Sequence, residues 1–473
     1  METLSSQHFG SRDREGLLAF LQYCQSCVSK DGSPRIGSIS LRVRDLDPLA
    51  VLQSIQEPEE PHLYLERRAV SVSGAEAVAL FSAAGAGRFE RVREFVKEWS
   101  SRIITTGDLD GWFSGPLFFH ACSFEESHVP SATVFIPKWQ ICRTDRECVA
   151  VANVLVEADT DLGREADRLL RAHGAFSNPD YFSPSEAPAL GGVTIRKENP
   201  TLYRERVNRV LEAIEGGDVS KVVLSRWMEL EAEREFRPLE TLRGLREAYQ
   251  DCFAFSYSRG KGASWIGATP ERLIQLRDGR FSTEALAGSA PRGGSLAEDT
   301  LMGRELLSSD KDLREHQYVI DAIRAVLLEL GLDPEVGEHP HLLRLSNVQH
   351  LRTPISGALQ PRRSLLEIAE KLHPTPAVGG APREQAVSLI RELEPFARGL
   401  YTGFLGWEKP GGDGEAVVAL RTARMEGRTA RLFAGGGIVA GSDPEKELKE
   451  TEIKLEAMAK ALGALEENRA GIR

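Results

Sequence analysis

The sequence predicts an α+β fold in which helices pack outside a large antiparallel β-sheet core. The first observation is that only short loops separate consecutive apolar segments, and such loops favour antiparallel pairing. The clearest case is the three segments 400–407, 416–425 and 430–439, which are separated by glycine-rich turns. The second observation is a long amphipathic segment, 311–332, whose apolar positions recur at helical spacing and give one stripe for burial.

The remaining elements follow from the same periodicities, in chain order. Before a Pro-, Ser- and Ala-rich candidate linker at 178–192, the pattern predicts helices at 14–29 and 89–101 and strands at 37–43, 62–67, 69–73, 112–123 and 132–142. After the linker it predicts helices at 200–215, 238–249, 299–308 and 311–332, strands at 221–230, 252–258, 263–267, 273–277 and 281–287, the three strands above and a closing helix. Two glycines end the helix at 200–215. The linker divides the chain into portions 1–190 and 191–473.

Composition restricts the class of protein. The net charge of −11 over 473 residues argues against a general nucleic-acid binder, and no apolar run reaches the length of a membrane span. Charged residues at 12–15 occupy the place of a signal-peptide core, and six cysteines are too few for a disulfide scaffold. We therefore expect a cytoplasmic protein with a small-molecule partner and no nucleic-acid or membrane partner. Its oligomeric state is expected to be monomer or homodimer.

The chain end carries the most informative pattern. The last predicted strand contains three glycines, 435–437, and a helix is predicted to begin at Pro444. In that helix Glu447, Glu450 and Lys454 are spaced so that they face the same way. Glycine N–H groups can face an anion, and the two carboxylates could hold Mg²⁺ beside an anionic substrate. The alternative is a solvated Glu/Lys face that only stabilises a terminal helix.

Two residues could transfer protons. Lys221 begins an apolar strand, where partial burial would lower its pKa and make the amine a general base. Glu271 lies on a Pro-containing turn between two strands, from which a carboxylic acid could protonate a leaving oxygen. The alternatives are an edge lysine whose amine reaches water and a solvated turn acid.

A second acidic pair and an isolated arginine complete the candidate site. Asp312 and Glu315 begin the helix at 311–332, so with the first acidic pair they would make a two-helix oxygen site for Mg²⁺. Arg421 follows apolar residues in the predicted strand 416–425 and needs a counter-anion, which is either a structural carboxylate or a substrate. Tyr401, on the preceding predicted strand, could assist by hydrogen bonding. The small-residue loop 286–293 suits close contact between backbone and ligand.

Together these segments resemble the chorismate-utilising enzyme family, which includes isochorismate synthases, salicylate synthases, anthranilate synthase component I and aminodeoxychorismate synthase. The resemblance runs from about 200 to 465 and is carried by KVVLSR, GATPERL, LAGSAPRG, KDLREH, LHPTPAVGG, ELEPFARGLYTG, VVALRTAR and AGGGI…KELKETEIKL. The isochorismate synthase branch is the most similar. Lys221 occupies the position of the lysine that activates water in that branch, and Ser289-Ala290 follows the loop pattern of the branch. Ala377 occupies a position where the pyruvate-eliminating branches tend to have threonine.

The resemblance implies the family's fold, a scaffold role for 1–190 and a chorismate-binding catalytic role for 191–473. It implies Mg²⁺-dependent isomerisation of chorismate to isochorismate, in which Lys221 deprotonates a water that attacks ring C2 and Glu271 protonates the departing C4 hydroxyl. Mg²⁺ would be bound by Glu315 and Glu450, with Asp312 and Glu447 holding its waters. The substrate would contact Arg421, Tyr401, the amides of Gly435 and Gly437, and Gly288, Ser289, Ala377 and Lys454.

Two alternatives stay open. A salicylate synthase would add pyruvate elimination to the same first step, and a non-catalytic chorismate-binding paralogue would bind without turnover. The sequence does not distinguish menaquinone from siderophore biosynthesis.

Overall fold

The computed structural model describes residues 1–4, 13–176, 187, 189–346 and 348–465, so most of the predicted linker at 178–192 lies outside the described residues. The helices of the described residues are α1 (Arg14–Asp31), α2 (Pro48–Ile55), α3 (Arg88–Arg102), α4 (Leu162–Phe176), α5 (Pro200–Glu215), α6 (Pro238–Ala248), α7 (Leu296–Ser308), α8 (Asp310–Glu329), α9 (Leu365–Leu372), α10 (Arg383–Leu393) and α11 (Pro444–Ala461). None of them, within these described ranges, is long and apolar enough to cross a bilayer.

The strands are β1 (Glu2–Thr3), β2 (Arg35–Val43), β3 (His62–Arg67), β4 (Val70–Ala83), β5 (Ile103–Gly107), β6 (Phe118–Cys122), β7 (Ala132–Arg143), β8 (Cys148–Val156), β9 (Val193–Lys197), β10 (Lys221–Ala232) and β11 (Phe253–Ser258). They continue as β12 (Ala263–Thr269), β13 (Arg272–Arg277), β14 (Arg280–Pro291), β15 (Glu335–Val336), β16 (His341–Arg344), β17 (Val348–Ala358), β18 (Gly380–Ala381), β19 (Phe404–Glu408), β20 (Gly414–Val418), β21 (Thr422–Glu426) and β22 (Thr429–Val439).

All these strands belong to one hydrogen-bonded sheet, which confirms the predicted fold class. The long strand β7 pairs with β4, β6 and β8 and joins two arms. One arm runs through β4, β3, β11, β12, β21 and β22 to β10, and the other through β6, β19, β20, β13 and β14 to β17. Among the described strands, only β5 pairs in parallel, with β1 and β2. Strands from both sides of the predicted linker pair with one another, as β3 does with β11 and β6 with β19, so both portions contribute to the same sheet. The scaffold role of 1–190 stays a prediction.

The two helices that carry the acidic residues are fixed by their caps and their buried faces. Ser309 caps α8 by accepting a hydrogen bond from the N–H of Asp312, and Asp443 caps α11 through two N–H groups, with Pro444 in the first turn. The apolar stripe predicted for α8 is buried, as at Val319 and Ile323. These contacts set the start and the rotation of both helices relative to the sheet.

The predicted strands at 400–407 and 416–425 are wrong in part. The first begins only at Phe404, and the second is interrupted between β20 and β21, where Arg421 has a φ of 47°. Two turns replace the missing strand residues and hydrogen-bond to each other, because Thr402 N donates to Ala419 O and Ala419 N to Gly403 O. As a result, Tyr401 and Arg421 lie on turns and not on strands.

Candidate active site

A cavity with about 800 Å³ of space, counted up to its open mouth, lies between β22, α8, α11 and the turn after β12. This size suits a small-molecule ligand. Eleven of the predicted site residues line it: Glu271, Gly288, Ser289, Glu315, Ala377, Tyr401, Arg421, Gly435, Gly437, Glu450 and Lys454. The other three adjoin the lining, since Lys221 is ion-paired with Glu315, Asp312 lies beside Gly288, and Glu447 precedes Glu450 by three residues on α11.

Glu271 is buried on the turn between β12 and β13, with only 4% of its surface exposed, so the alternative of a solvated turn acid is wrong. Burial and the nearby carboxylate of Glu284 raise the pKa of Glu271 to about 8, while Lys221 and the Thr375 hydroxyl act in the opposite direction. The carboxyl group is therefore protonated at neutral pH, which is the state that a proton donor requires.

Lys221 is fully buried at the start of β10, so the alternative of an edge lysine that reaches water is also wrong. Its Nζ lies 2.9 Å from Oε1 of Glu315. The angle of this contact is not that of a hydrogen bond, and among the described residues Nζ has no other acceptor. A Cβ at position 437 would lie 2.5 Å from Glu315 Oε1 and 3.1 Å from Lys221 Cε, so glycine is needed there to admit the ion pair.

The glycines of β22 present backbone groups to the cavity. Lys454 Nζ donates to the carbonyl of Gly435 at 2.9 Å, on the side of β22 that β10 does not occupy. Opposite Gly435 and Gly437, Ser225 and Val223 on β10 direct their N–H groups to acceptors outside β22. Since N–H and C=O of one residue point the same way in an antiparallel strand, the amides of Gly435 and Gly437 face the cavity. They do so from a strand edge and not from a helix N-terminus.

Arg421 reaches the cavity from the turn between β20 and β21. Its guanidinium lies 5.4 Å from the centre of the Tyr249 ring, and its Nη2 lies 3.4 Å from His350 Nε2. Among the described residues, no carboxylate forms an ion pair with Arg421, so the structural counter-ion considered from the sequence is not found among them. Tyr401 is buried beside the same cavity and stacks on Phe433 at 5.2 Å.

His350 is a lining residue that the sequence analysis missed. Its Nδ1 lies 3.0 Å from the hydroxyl of Ser289, directly across the β14–β17 pair. Burial, followed by the positive charges of Arg421 and Lys454, lowers the pKa of His350 well below its usual value, so the ring is neutral. A histidine close to the apolar residues Val348 and Leu351 was the available signal, but the strand itself was not predicted.

Each of the four predicted metal-site carboxylates on α8 and α11 has a partner of its own. Glu315 pairs with Lys221, Glu450 Oε1 lies 2.8 Å from Lys454 Nζ, and Glu447 Oε1 lies 3.1 Å from Lys311 Nζ. Asp312 contacts the hydroxyl of Ser309. The carboxylates are also close enough to influence one another, because Glu450 acts on the pKa of both Glu447 and Asp312, and Glu315 acts on that of Asp312.

Mutual repulsion among these carboxylates favours a bound cation. Burial, and then the charge of Glu450, raises the pKa of Glu447, and burial together with Glu315 and Glu450 raises that of Asp312. No three His, Cys, Asp or Glu side chains of the described residues form a ready ligand cage. Mg²⁺ commonly takes one or two protein carboxylates and completes its shell with water and substrate oxygens. The residues present fit such an ion.

A mixed α+β fold whose sheet and helices enclose a cavity with a buried acid, a buried lysine and an acidic cluster is typical of an enzyme that acts on a small molecule. Comparison with known proteins identifies the class. The family model described as chorismate binding enzyme matches residues 20–463. The chain belongs to the chorismate-binding enzyme family, which confirms the resemblance stated from the sequence motifs.

Three relatives illustrate the similarity. The isochorismate synthase MenF of Bacillus subtilis (strain 168) is 33% identical over 388 residues, which cover 79% of this chain and 82% of that protein. The salicylate biosynthesis isochorismate synthase of Pseudomonas aeruginosa is 32% identical over 435 residues, covering 91% of each. The solved structure of MenF, the menaquinone-specific isochorismate synthase of Escherichia coli, shares the fold, with a TM-score of 0.74 and 24% identity over 94% of this chain and 99% of that one.

Proposed function

We propose that this protein is a Mg²⁺-dependent isochorismate synthase, which converts chorismate to isochorismate. The relatives named above support the activity. The observation that carries the mechanism is the pair of proton-transfer groups at one cavity, a buried lysine near a buried carboxylic acid whose pKa is about 8. A cytoplasmic location and a monomeric or homodimeric state also belong to the proposal, and cell fractionation and light scattering test them.

The reaction divides between the two groups. Lys221 takes a proton from a water whose oxygen bonds to ring C2, the two ring double bonds each move by one position, and the C4–oxygen bond breaks. Glu271 gives its proton to the departing C4 hydroxyl, which leaves as water. Arg421, together with the amides of Gly435 and Gly437, holds the enolpyruvyl carboxylate and keeps the ring oriented between acid and base.

The metal would be held by Glu315 and Glu450, with Asp312 and Glu447 accepting hydrogen bonds from its waters. When bound, Mg²⁺ would neutralise the ring carboxylate of the substrate. The repulsion between Glu447 and Glu450 supports a bound cation, and such an ion would complete its shell with substrate and water oxygens.

Chromatographic analysis of the products from purified protein, chorismate and Mg²⁺ tests the proposal. Isochorismate as the only product is the expected result. Salicylate together with stoichiometric pyruvate would replace the proposal by a salicylate synthase, and binding of chorismate without turnover would replace it by a non-catalytic paralogue.

The raised pKa of Glu271 predicts the alkaline side of the pH profile. Because the group must be protonated to act as the acid, kcat/KM should fall as the pH rises through about 8. Replacing the nearby Glu284 by Gln removes a negative charge that raises this pKa, so the fall should move to lower pH. An unchanged profile in the Glu284→Gln enzyme, with folding verified by its melting temperature, would contradict this assignment.

Position 377 is predicted to influence the product. Ala377 lines the cavity, and a threonine there should allow some pyruvate release, because its hydroxyl could reposition the enolpyruvyl arm toward the ring hydrogen it must accept. Ala377→Val is the matched control, since valine has nearly the same shape without the hydroxyl. The measurement is the molar ratio of released pyruvate to isochorismate formed over a prolonged assay. Active Ala377→Thr enzyme that releases no more pyruvate than Ala377→Val would show that this position is not the switch.

A further inference from the structure

Lys311 has no role in the proposed reaction, yet it joins the two helices that carry the acidic residues. It is the second residue of α8, and its Nζ lies 3.1 Å from Oε1 of Glu447 on α11. The two side chains differ in environment, because 37% of the lysine surface is exposed and only 4% of the glutamate surface. The cation therefore has a path to solvent that the carboxylate lacks.

The three lysines of the acidic cluster are not equivalent. Lys221 has an exposed side-chain fraction of 1%, so it has no way out of the cluster. Lys454 is held both by Glu450 and by the carbonyl of Gly435. Lys311 is the most exposed of the three, with 37% of its side-chain surface accessible against 20% for Lys454 and 1% for Lys221. It is the lysine that an entering cation can displace at the lowest cost.

Glu447 in turn depends on a cation. It is buried beside Glu450, and its second oxygen faces the backbone of β22 so closely that a Cβ at Gly436 would lie 3.0 Å from it. Leaving such a carboxylate unpaired is strongly unfavourable, because a buried charge without a partner loses its hydration and gains nothing in return. The Ser442 hydroxyl also hydrogen-bonds this carboxylate, but while the carboxylate is ionised only a cation, Lys311 or a metal ion, can balance its charge.

We propose that Lys311 is an internal counter-ion that competes with Mg²⁺. In the metal-free enzyme its ammonium group neutralises Glu447. When Mg²⁺ enters, the side chain moves to solvent and releases the carboxylate to the waters of the metal. Lys311 thus stabilises the metal-free protein and weakens its affinity for Mg²⁺. This inference rests on the proposed magnesium site.

The test compares wild-type protein with Lys311→Met, which keeps the length of the side chain and removes the charge. Lys449→Met is the matched control, since Lys449 is exposed on α11. Isothermal titration calorimetry gives the Kd for Mg²⁺ without substrate, and melting temperatures are recorded with EDTA and with saturating Mg²⁺. Loss of a partly exposed competing ion pair should tighten Mg²⁺ binding about two- to fivefold.

The expected result has two parts. Lys311→Met should bind Mg²⁺ more tightly than wild type, and its melting temperature should be lower in EDTA and close to wild type in Mg²⁺. Equal or weaker Mg²⁺ binding by Lys311→Met, or an equal loss of melting temperature under both conditions, would overturn the inference while wild-type Mg²⁺ binding stands. Wild-type protein that binds no Mg²⁺ would overturn the proposed metal site itself and the inference with it.

Discussion

Replacing Lys221 by Ala is expected to lower kcat by about 10²–10⁴-fold, the usual cost of losing a general base. The physical reason is position, because the amine is buried next to the cavity lining, ion-paired with Glu315 and close enough to Glu271 to influence its pKa. Chorismate affinity should stay close to that of wild type, since the predicted substrate-binding groups lie elsewhere in the cavity. Turnover and binding of chorismate by the purified variant are the measurements.

Chemical rescue separates a lost base from a damaged site. The Lys221→Ala enzyme would contain a hole the size of the missing side chain, so methylamine should restore part of the activity in a concentration-dependent way. Tetramethylammonium carries the charge of protonated methylamine but has no lone pair to accept a proton, so it should restore none. Near wild-type turnover without amine, or equal rescue by methylamine and tetramethylammonium, would refute the assignment of Lys221 as the base.

The second large effect concerns the metal. Activity should vanish with a chelator and return with Mg²⁺, and Glu450→Gln should raise the required Mg²⁺ concentration steeply, because the variant keeps the size of the side chain but loses the charge that attracts the ion. The measurement is turnover as a function of Mg²⁺ concentration. Full activity of the chelated enzyme would exclude a metal requirement.

Two other glutamates of α11 could serve as the control, and they differ in their partners. Glu452 has a carboxylate that pairs with Lys197 and with Arg226, whose side chain is fully buried. Its removal would take away the carboxylate that forms an ion pair with a buried cation. Glu456 is the better control, since it is half exposed and its Lys197 contact is 3.8 Å long. Similar Mg²⁺ dependence of Glu450→Gln and Glu456→Gln would contradict the site.

The C-terminal part of the site could be predicted because its signals are local. Pro444 and the cap before it define the start of α11, and helical spacing alone places Glu447, Glu450 and Lys454 on one side. Glu271 was also predictable as a turn residue between two strands. Its burial was not, since burial depends on strands that are distant in sequence.

The parts that were missed depend on tertiary contacts. An apolar run gives no sign of a bend, so the turn that moves Arg421 off the strand is visible only in the pairing of residues 402 and 419. His350 was missed because β17 is identified by its partner β14 and not by its own periodicity. The ion pair of Lys311 joins helices that are more than a hundred residues apart. Sequence spacing within one element cannot reveal such contacts.

The central claim is that a water molecule, activated by Lys221, adds at C2 while the C4 hydroxyl leaves. The most direct test is turnover of chorismate in H₂¹⁸O, followed by mass spectrometry of the isochorismate formed. The mechanism predicts one ¹⁸O atom per product molecule, located in the new C2 hydroxyl. Isochorismate without the label would mean that the original hydroxyl migrates within the substrate, and it would contradict the account.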